Sequence, residues 1–243
     1  MPDIRWVLEY ARATGYHAVQ VNAADPLTRP RDLSRSARRD LAAHIRRHEL
    51  VCSGVDLWIP KRHFTDETHV DRAVSALLDA ADFAIDLAEL TGGARLLSVS
   101  IPWEEAEPVL GSLAERASRL GLAVANHAYP WPESLAPESP VLVGIDPPAV
   151  ILDRGDAADA VSKASSSGVL RSVRLGDLAA SGRVAPGEGS LDTLAYRVAI
   201  ATASYDGYVV VDARGLPVTE DSVGQLAVVR RLAEEFGHPR TDT

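Results

Sequence analysis

The chain has 243 residues, 46% of them hydrophobic, with 25 Lys or Arg against 34 Asp or Glu and a formal net charge of -9 at pH 7. That length suits a single α/β domain over residues 1–243 with a sizeable core, one barrel commonly running to about 250 residues. The acidic balance excludes a basic nucleic-acid face, and no apolar run approaches the roughly 20 residues that span a bilayer, so neither nucleic acid nor membrane is expected as a partner.

In chain order, the opening Met1-Pro-Asp-Ile-Arg-Trp6 lacks the basic-then-apolar order of a secretory leader. Ile4 to Thr14 reads as a helix stopped by Gly15, and His17 to Val21 as a strand. Leu33 to His48 is an arginine-rich amphipathic helix with Asp32 as its expected N-cap. Leu50 to Leu57 follows as a strand carrying Cys52. The lone cysteine excludes a disulfide within the chain, fits a cytoplasmic location, and reads as a small buried hydrophobe rather than a reactive thiol.

The span Glu67 to Leu90 is the best-defined helix: Val70, Val74, Leu77, Ala81, Ile85 and Ala88 lay one apolar stripe at three- and four-residue steps, and Gly92-Gly93 ends it. Arg95 to Ser100 is a strand, Glu104 to Arg119 a helix and Leu122 to Asn126 a strand. His127 to Pro140, with four prolines, is the longest irregular stretch and reads as a loop over a barrel mouth. Val141 to Ile145, Leu170 to Leu175 and Tyr208 to Val211 complete the strands; Asp156 to Ala164, Leu191 to Ala203 and Asp221 to Phe236 complete the helices.

The strands are short, continuous apolar runs without alternation, as expected when helices cover a parallel sheet. They number about seven, one fewer than a closed (β/α)8 TIM barrel needs, and the missing one is the first. Exposed strand edges invite pairing, so a homo-oligomer or a loop is expected to cover the seam flanked by the Val19 and Val210 strands.

Four segments carry a resemblance: Val143-Gly-Ile-Asp-Pro-Pro148, Val173-Arg-Leu-Gly-Asp177, Ala185-Pro-Gly-Glu-Gly-Ser-Leu-Asp192 and Tyr205-Asp-Gly-Tyr-Val-Val-Val-Asp212. As a set the chain resembles the xylose-isomerase-like barrel superfamily of sugar isomerases and epimerases, to which metal-dependent endonucleases are related. The resemblance implies one divalent ion (Mn, Mg, Co or Zn) held by a glutamate, an aspartate, a histidine and a second glutamate from successive late strands. The ion would act as a Lewis acid and the glutamates would move the proton.

Aligned by strand ends, the first glutamate falls at Ala125, which can neither bind metal nor carry a proton. The aspartate is kept as Asp146, and a histidine common shortly after it is Ala149. The ligating histidine falls at Arg174 and the second glutamate at Asp212, one methylene shorter; Gln20 stands where many members carry a strand-end glutamate. A guanidinium stays protonated and cannot ligate metal. An Asp146–Arg174–Asp212 ion-pair cluster without metal is therefore expected, and no cofactor.

Other candidates are weighed against plainer roles. Asp146 precedes two prolines and suits a turn or cap equally well, and Asp212 has Arg214 as a neighbouring partner. His127 is a candidate base beside the alternative of a polar loop histidine. Asp177 reads as a loop cap. Glu188, between Gly187 and Gly189, is a candidate proton-transfer group or a turn residue. His63 and His69 read as solvated loop. Trp58, Trp103 and Trp131 each follow a strand and offer flat faces to a sugar ring, or pack the loops.

Three readings follow. In the first, the chain is a metal-independent or inactive homologue binding a small sugar-like or anionic ligand. In the second, it is an active metal-dependent isomerase using Asp146 and Asp212. In the third, it is an endonuclease, against which the net charge and the losses at Ala125 and Arg174 argue.

Overall fold

The structure is a computed structural model and describes residues 4–212 together with Val229, Arg230, Glu234 and Phe236. Strands and helices alternate from the start: α1 (Ile4–Ala13), β1 (Ala18–Asn22), α2 (Arg35–Arg47), β2 (Val51–Leu57), α3 (Val70–Thr91), β3 (Leu96–Val99), α4 (Glu107–Leu120) and β4 (Ala123–Asn126). Then come β5 (Val141–Ile145), α5 (Pro147–Leu152), α6 (Ala157–Ser166), β6 (Leu170–Leu175), a hairpin of β7 (Asp177–Ala179) and β8 (Gly182–Val184), α7 (Thr193–Thr202) and β9 (Val209–Val211). Seven strands form one sheet in the order β1-β2-β3-β4-β5-β6-β9. This is the parallel α/β alternation of a TIM-type barrel, with one strand fewer than eight among the described residues.

Two compact units divide the described chain. The first runs to Asn126 and includes Glu138–Leu142; the second holds His127–Pro137 and the chain from Val143 onward. In the first unit, β2 pairs with β1 and β3, and β3 with β4, all parallel, so that Asn22, Asp56, Ser98 and Ala125 stand at one level of the register. In the second, β5 pairs with β6 and β6 with β9, also parallel, with Ile145 opposite Val173 and Arg174 opposite Val210.

The first unit's core shows why the apolar stripe forms a helix here. Ala73, Leu77, Ala80, Ala81, Ala84, Ile85, Leu87 and Ala88 of α3 are all buried, while Gly92 takes φ 73° and its N–H closes the helix on the Ala88 carbonyl. The small alanines let α3 approach the sheet closely, and Phe83 and Leu77 fill the remaining volume.

Most predicted elements agree to within a residue or three. The strands over 141–145 and 170–175 match end to end. The N-cap of α2 is a correction: Pro30–Asp32 forms a 3-10 turn, Leu33 is extended, and the Ser34 hydroxyl accepts the cap bond from the Ala37 N–H. Proline at the first position shapes that turn and leaves Asp32 too early to cap. Cys52 is buried, and burial pushes its thiol pKa up, which agrees with a structural role. The helix expected over 221–236 lies almost wholly outside the described residues. No helix among the described residues is long and apolar enough to cross a membrane.

Leu77→Ala is expected to cost about 3 kcal/mol, the transfer term plus an unfilled cavity. Urea denaturation measures it, and an unchanged midpoint would show that the α3 stripe is not the core contact described.

Candidate functional site

The second unit gathers two carboxylates and two guanidinium groups at the ends of β5, β6 and β9. Asp146 is the residue after β5, Arg174 lies near the end of β6, and Asp212 follows β9 with its N–H on the Leu175 carbonyl at 2.9 Å. Parallel pairing therefore sets all three on neighbouring strand ends. Asp146 and Arg174 are buried, and the Asp212 side chain is 5% exposed.

A fourth residue, Arg183 on β8, joins them. Its Nη1 donates to Asp146 Oδ1 at 3.1 Å and its Nη2 to Asp146 Oδ2 at 2.5 Å, a bidentate fork. The same Nη1 also donates to Asp212 Oδ2 at 3.0 Å. Arg174 Nη1 stands 4.0 Å from that Asp212 oxygen. The four formal charges cancel. With the carboxylates this far from water, the cations offset a desolvation cost of several kcal/mol per ion.

Asp146 begins α5 but does not cap it. Its backbone carbonyl takes the N–H groups of Ala149 and Val150, while the side chain turns to Arg183. Arg174 is positioned from behind: the fully buried Tyr196 of α7 donates its hydroxyl hydrogen to the Arg174 carbonyl at 2.8 Å. Burial raises the Tyr196 pKa well above its ordinary value, and the Asp146 charge adds to that. Burial likewise pushes Tyr205, just before β9, up to about 12.

The loop that carries Arg183 is built on Asp177. This buried carboxylate accepts four backbone N–H groups, from Leu178 at 2.7 Å, Gly187 at 3.0 Å, and Gly189 and Leu191 at 2.9 Å each. It leaves no room at Gly189, where a Cβ would sit 2.5 Å from Asp177 Oδ1 and from the Leu178 carbonyl oxygen. Glu188 sits exposed on the outside of this turn, its N–H bonded to the Ala185 carbonyl at 3.0 Å.

The remaining candidates fall elsewhere. His127 is not an open-loop histidine: it is 1% exposed, with its ring laid against the Cα of Gly144, where a Cβ would lie about 2.5 Å from the ring atoms. Trp131 packs edge-on to Tyr129 at 5.5 Å, with Lys163 Nζ 5.9 Å from its ring centre. In the first unit Trp103 packs against the core, Trp58 stays 48% exposed, and Gln20 Nε2 donates to the buried Ser98 hydroxyl at 3.1 Å. Ala125 is fully buried.

Two residues escaped the sequence reading. Asp56, buried at the end of β2, is a charged side chain inside an otherwise apolar run, and that contrast was visible. Arg183 had only a three-residue strand and Gly182 to announce it.

By sequence, no family model and no curated protein matches the chain. Solved structures do match by fold. A xylose isomerase domain protein from Planctomyces limnophilus superposes with a TM-score of 0.73 at 16% identity, over 94% of this chain and 91% of that one. This chain has the xylose-isomerase-like barrel fold. A 3-keto-D-glucoside 4-epimerase from E. coli gives 0.67 at 15% identity, covering 95% of each chain. A D-psicose 3-epimerase from Clostridium cellulolyticum H10, solved with D-tagatose, gives 0.68 at 15%, over 97% and 92%. Within this xylose-isomerase-like barrel, no group of three or more His, Cys, Asp or Glu among the described residues is arranged to hold a metal ion.

Asp177→Ala should leave four inward-facing N–H groups unsatisfied and destabilise the protein by about 3 kcal/mol. Hydrogen exchange should quicken at Gly187, Gly189 and Leu191. Unchanged protection there would mean that Asp177 does not hold the loop.

Proposed function

We propose that this protein is a sugar isomerase- or epimerase-like barrel, one domain over residues 1–243, that works without a divalent ion or without catalysis. It receives a small sugar-like or anionic ligand beside Arg174 and Arg183, with Asp146 and Asp212 as their counter-charges. The single observation behind this is the Arg183 fork on Asp146 with its third bond to Asp212. Positive charge that an ion would bring is supplied by the chain itself. The donor set does not fit a divalent ion: both carboxylates face guanidinium nitrogens, and two of the four expected ligand positions are Ala125 and Arg174.

One observation favours the second reading, a metal-dependent isomerase using Asp146 and Asp212. The two carboxylates converge on a single nitrogen, at 3.1 and 3.0 Å, as two ligands of one ion would. Arg183 would have to leave, and His127, Glu188 or Asp212 itself would have to move the proton.

Metal analysis of protein purified without chelator, followed by thermal shift with manganese, cobalt, magnesium and zinc, separates the two readings. The proposal expects no stoichiometric ion and no shift in the wild type, with a shift emerging in Arg183→Ala, where the carboxylates lose their forked cation. A stoichiometric ion in the wild type, lost in Asp146→Ala and Asp212→Ala, would overturn it.

A cytoplasmic homo-oligomer belongs to the same proposal. β1 and β9 end the strand order of the described residues; Val7 of α1 and Leu27, both exposed, line an apolar groove of about 360 Å³ with β1 residues, and Trp6 of α1 is exposed as well. Apolar surface of this kind beside a strand that ends the described order favours a second copy. Sedimentation should show a dimer or larger species that Trp6→Glu with Leu27→Glu dissociates; a wild-type monomer at micromolar concentration would rule the assembly out.

A further inference from the structure

The connection between β2 and α3 carries two stacked imidazoles. His63 sits in the 3-10 turn Lys61–Phe64 and His69 directly before α3, both half-buried, with their rings 4.6 Å apart and an interplanar angle of 15°. We propose that this stack is a pH-sensitive latch, closed while His63 is neutral and opened when both rings carry a proton, so that acid loosens residues 60–69. The segment forms one edge of a cleft of about 640 Å³ that both histidines line. The cleft's lining residues all fall between Ala23 and Asp79, so the inference does not rest on the reading of the Asp146–Arg183 cluster.

The latch has a fixed part and a free part. Phe64 is buried and anchors the 3-10 turn in the core, and the exposed residues Thr65 to Thr68 follow it. The backbone around the stack is held by short local bonds: His63 N–H to the Pro60 carbonyl at 2.8 Å, Asp66 N–H to the Arg62 carbonyl at 3.1 Å, and His69 N–H to the Asp66 carbonyl at 2.9 Å. Exposed backbone held this way opens at the low end of a protein's range of local stabilities. The contact of ring on ring ties the turn to the start of α3, and it is the contact that a proton can break.

The surrounding charges treat the two rings differently. His69 Nδ1 lies 2.9 Å from Asp66 Oδ2. The Thr68 hydroxyl, then the Thr68 N–H, hold the Asp66 carboxyl down to about 2, so a protonated His69 has a counter-charge beside it. For His63, desolvation first and then the charges of His69, Arg62 and Arg72 lower the pKa, with Asp66 opposing. From the other elements, Asp71 and Asp79 of α3 and Arg29 and Arg31 ahead of α2 line the same cleft. Of all these side-chain types only histidine ordinarily changes charge between about pH 5 and 8.

A second proton on the pair therefore sets two imidazolium rings face to face beside two guanidinium groups. Released into water, His63 returns to the ordinary histidine value of 6.5, above its value in the stack. The open segment then binds a proton more readily than the closed one, so falling pH pulls the equilibrium towards opening. The latch is fully closed above pH 6.5 and is lost as the pH falls below that value through the lowered pKa of the closed form.

Hydrogen exchange on the full-length protein at about pH 7.5 and about pH 5.5, corrected for the intrinsic rate, tests the latch. Protection of the His63, Asp66 and His69 N–H groups should fall about fivefold or more at the lower pH. The buried Leu77 of α3 should keep its protection, which separates local opening from acid unfolding. His63→Phe retains a flat ring that takes no proton, so protection at Asp66 and His69 should change by less than about twofold over the same range. Proton NMR of the imidazoles gives a second readout, in which the His63 titration should move up in His69→Gln. Unchanged wild-type protection, an equal loss in His63→Phe, or a His63 titration that stays put in His69→Gln would each overturn the assignment.

Discussion

Two carboxylates at neighbouring strand ends, both nearly withdrawn from water, cannot stay ionised side by side without positive charge between them. That constraint governs the second unit. A parallel sheet delivers Asp146 and Asp212 on either side of β6, and the chain meets the demand with Arg183 and Arg174 rather than with liganding side chains. A guanidinium answers the demand differently from an ion. It forks onto one carboxylate with directional bonds, needs no fixed coordination number, and never leaves with a chelator.

The rest of the loop architecture follows from where Arg183 must stand. Its strand is three residues long and would hold nothing alone. β7 pairs with it, and Asp177, the first residue of that strand, ties the returning chain through four N–H groups. Gly189 then lets the backbone pass close to the carboxylate, and Gly187 takes a positive φ of 88°. The anion at Asp177 is thus spent on backbone, the anions at Asp146 and Asp212 on guanidinium. Three acidic residues thus do two structurally separate things, and only their partners distinguish them.

Much of this was legible because buried parallel strands leave a plain mark. Val141–Ile145 is an unbroken run with no polar side chain, Leu170–Leu175 keeps Leu170, Val173 and Leu175 among its polar residues, and the ends of both coincide with the observed ones. The α3 stripe was equally plain, since 3.6-residue periodicity over six turns admits one face to the core. What failed were features decided by single bonds. Asp32 and Ser34 are both good caps, and the proline-led turn before them chose Ser34. Asp146 before two prolines has the signature of a cap, yet Pro147 and Pro148 have no N–H to donate, the Ala149 N–H goes to the Asp146 carbonyl, and the side chain bonds an arginine 37 residues on. His127 lies in a polar, proline-rich stretch and is nonetheless buried, because Gly144 offers a flat place for its ring. The Ser34 cap is a local bond, but the partners of Asp146 and His127 are far in sequence, so no local pattern could have announced those two.

The same reasoning bears on what the resemblance carried and what it did not. Strand-end alignment placed Asp146, Arg174 and Asp212 together, and a fold shared at 15–16% identity is consistent with such transfer of position. Position is not chemistry. An aspartate that faces an arginine fork and an aspartate that faces an ion occupy the same strand end, yet one is held by two directional hydrogen bonds and the other by a coordination sphere. On the proposed reading, function turns on Arg183 of the β7–β8 hairpin, because a ligand entering this cluster would either bond to that guanidinium or displace it from two buried carboxylates. The second course would leave like charges facing each other at a cost of several kcal/mol. The first needs only an acceptor oxygen, which any hydroxylated or carboxylated ligand has.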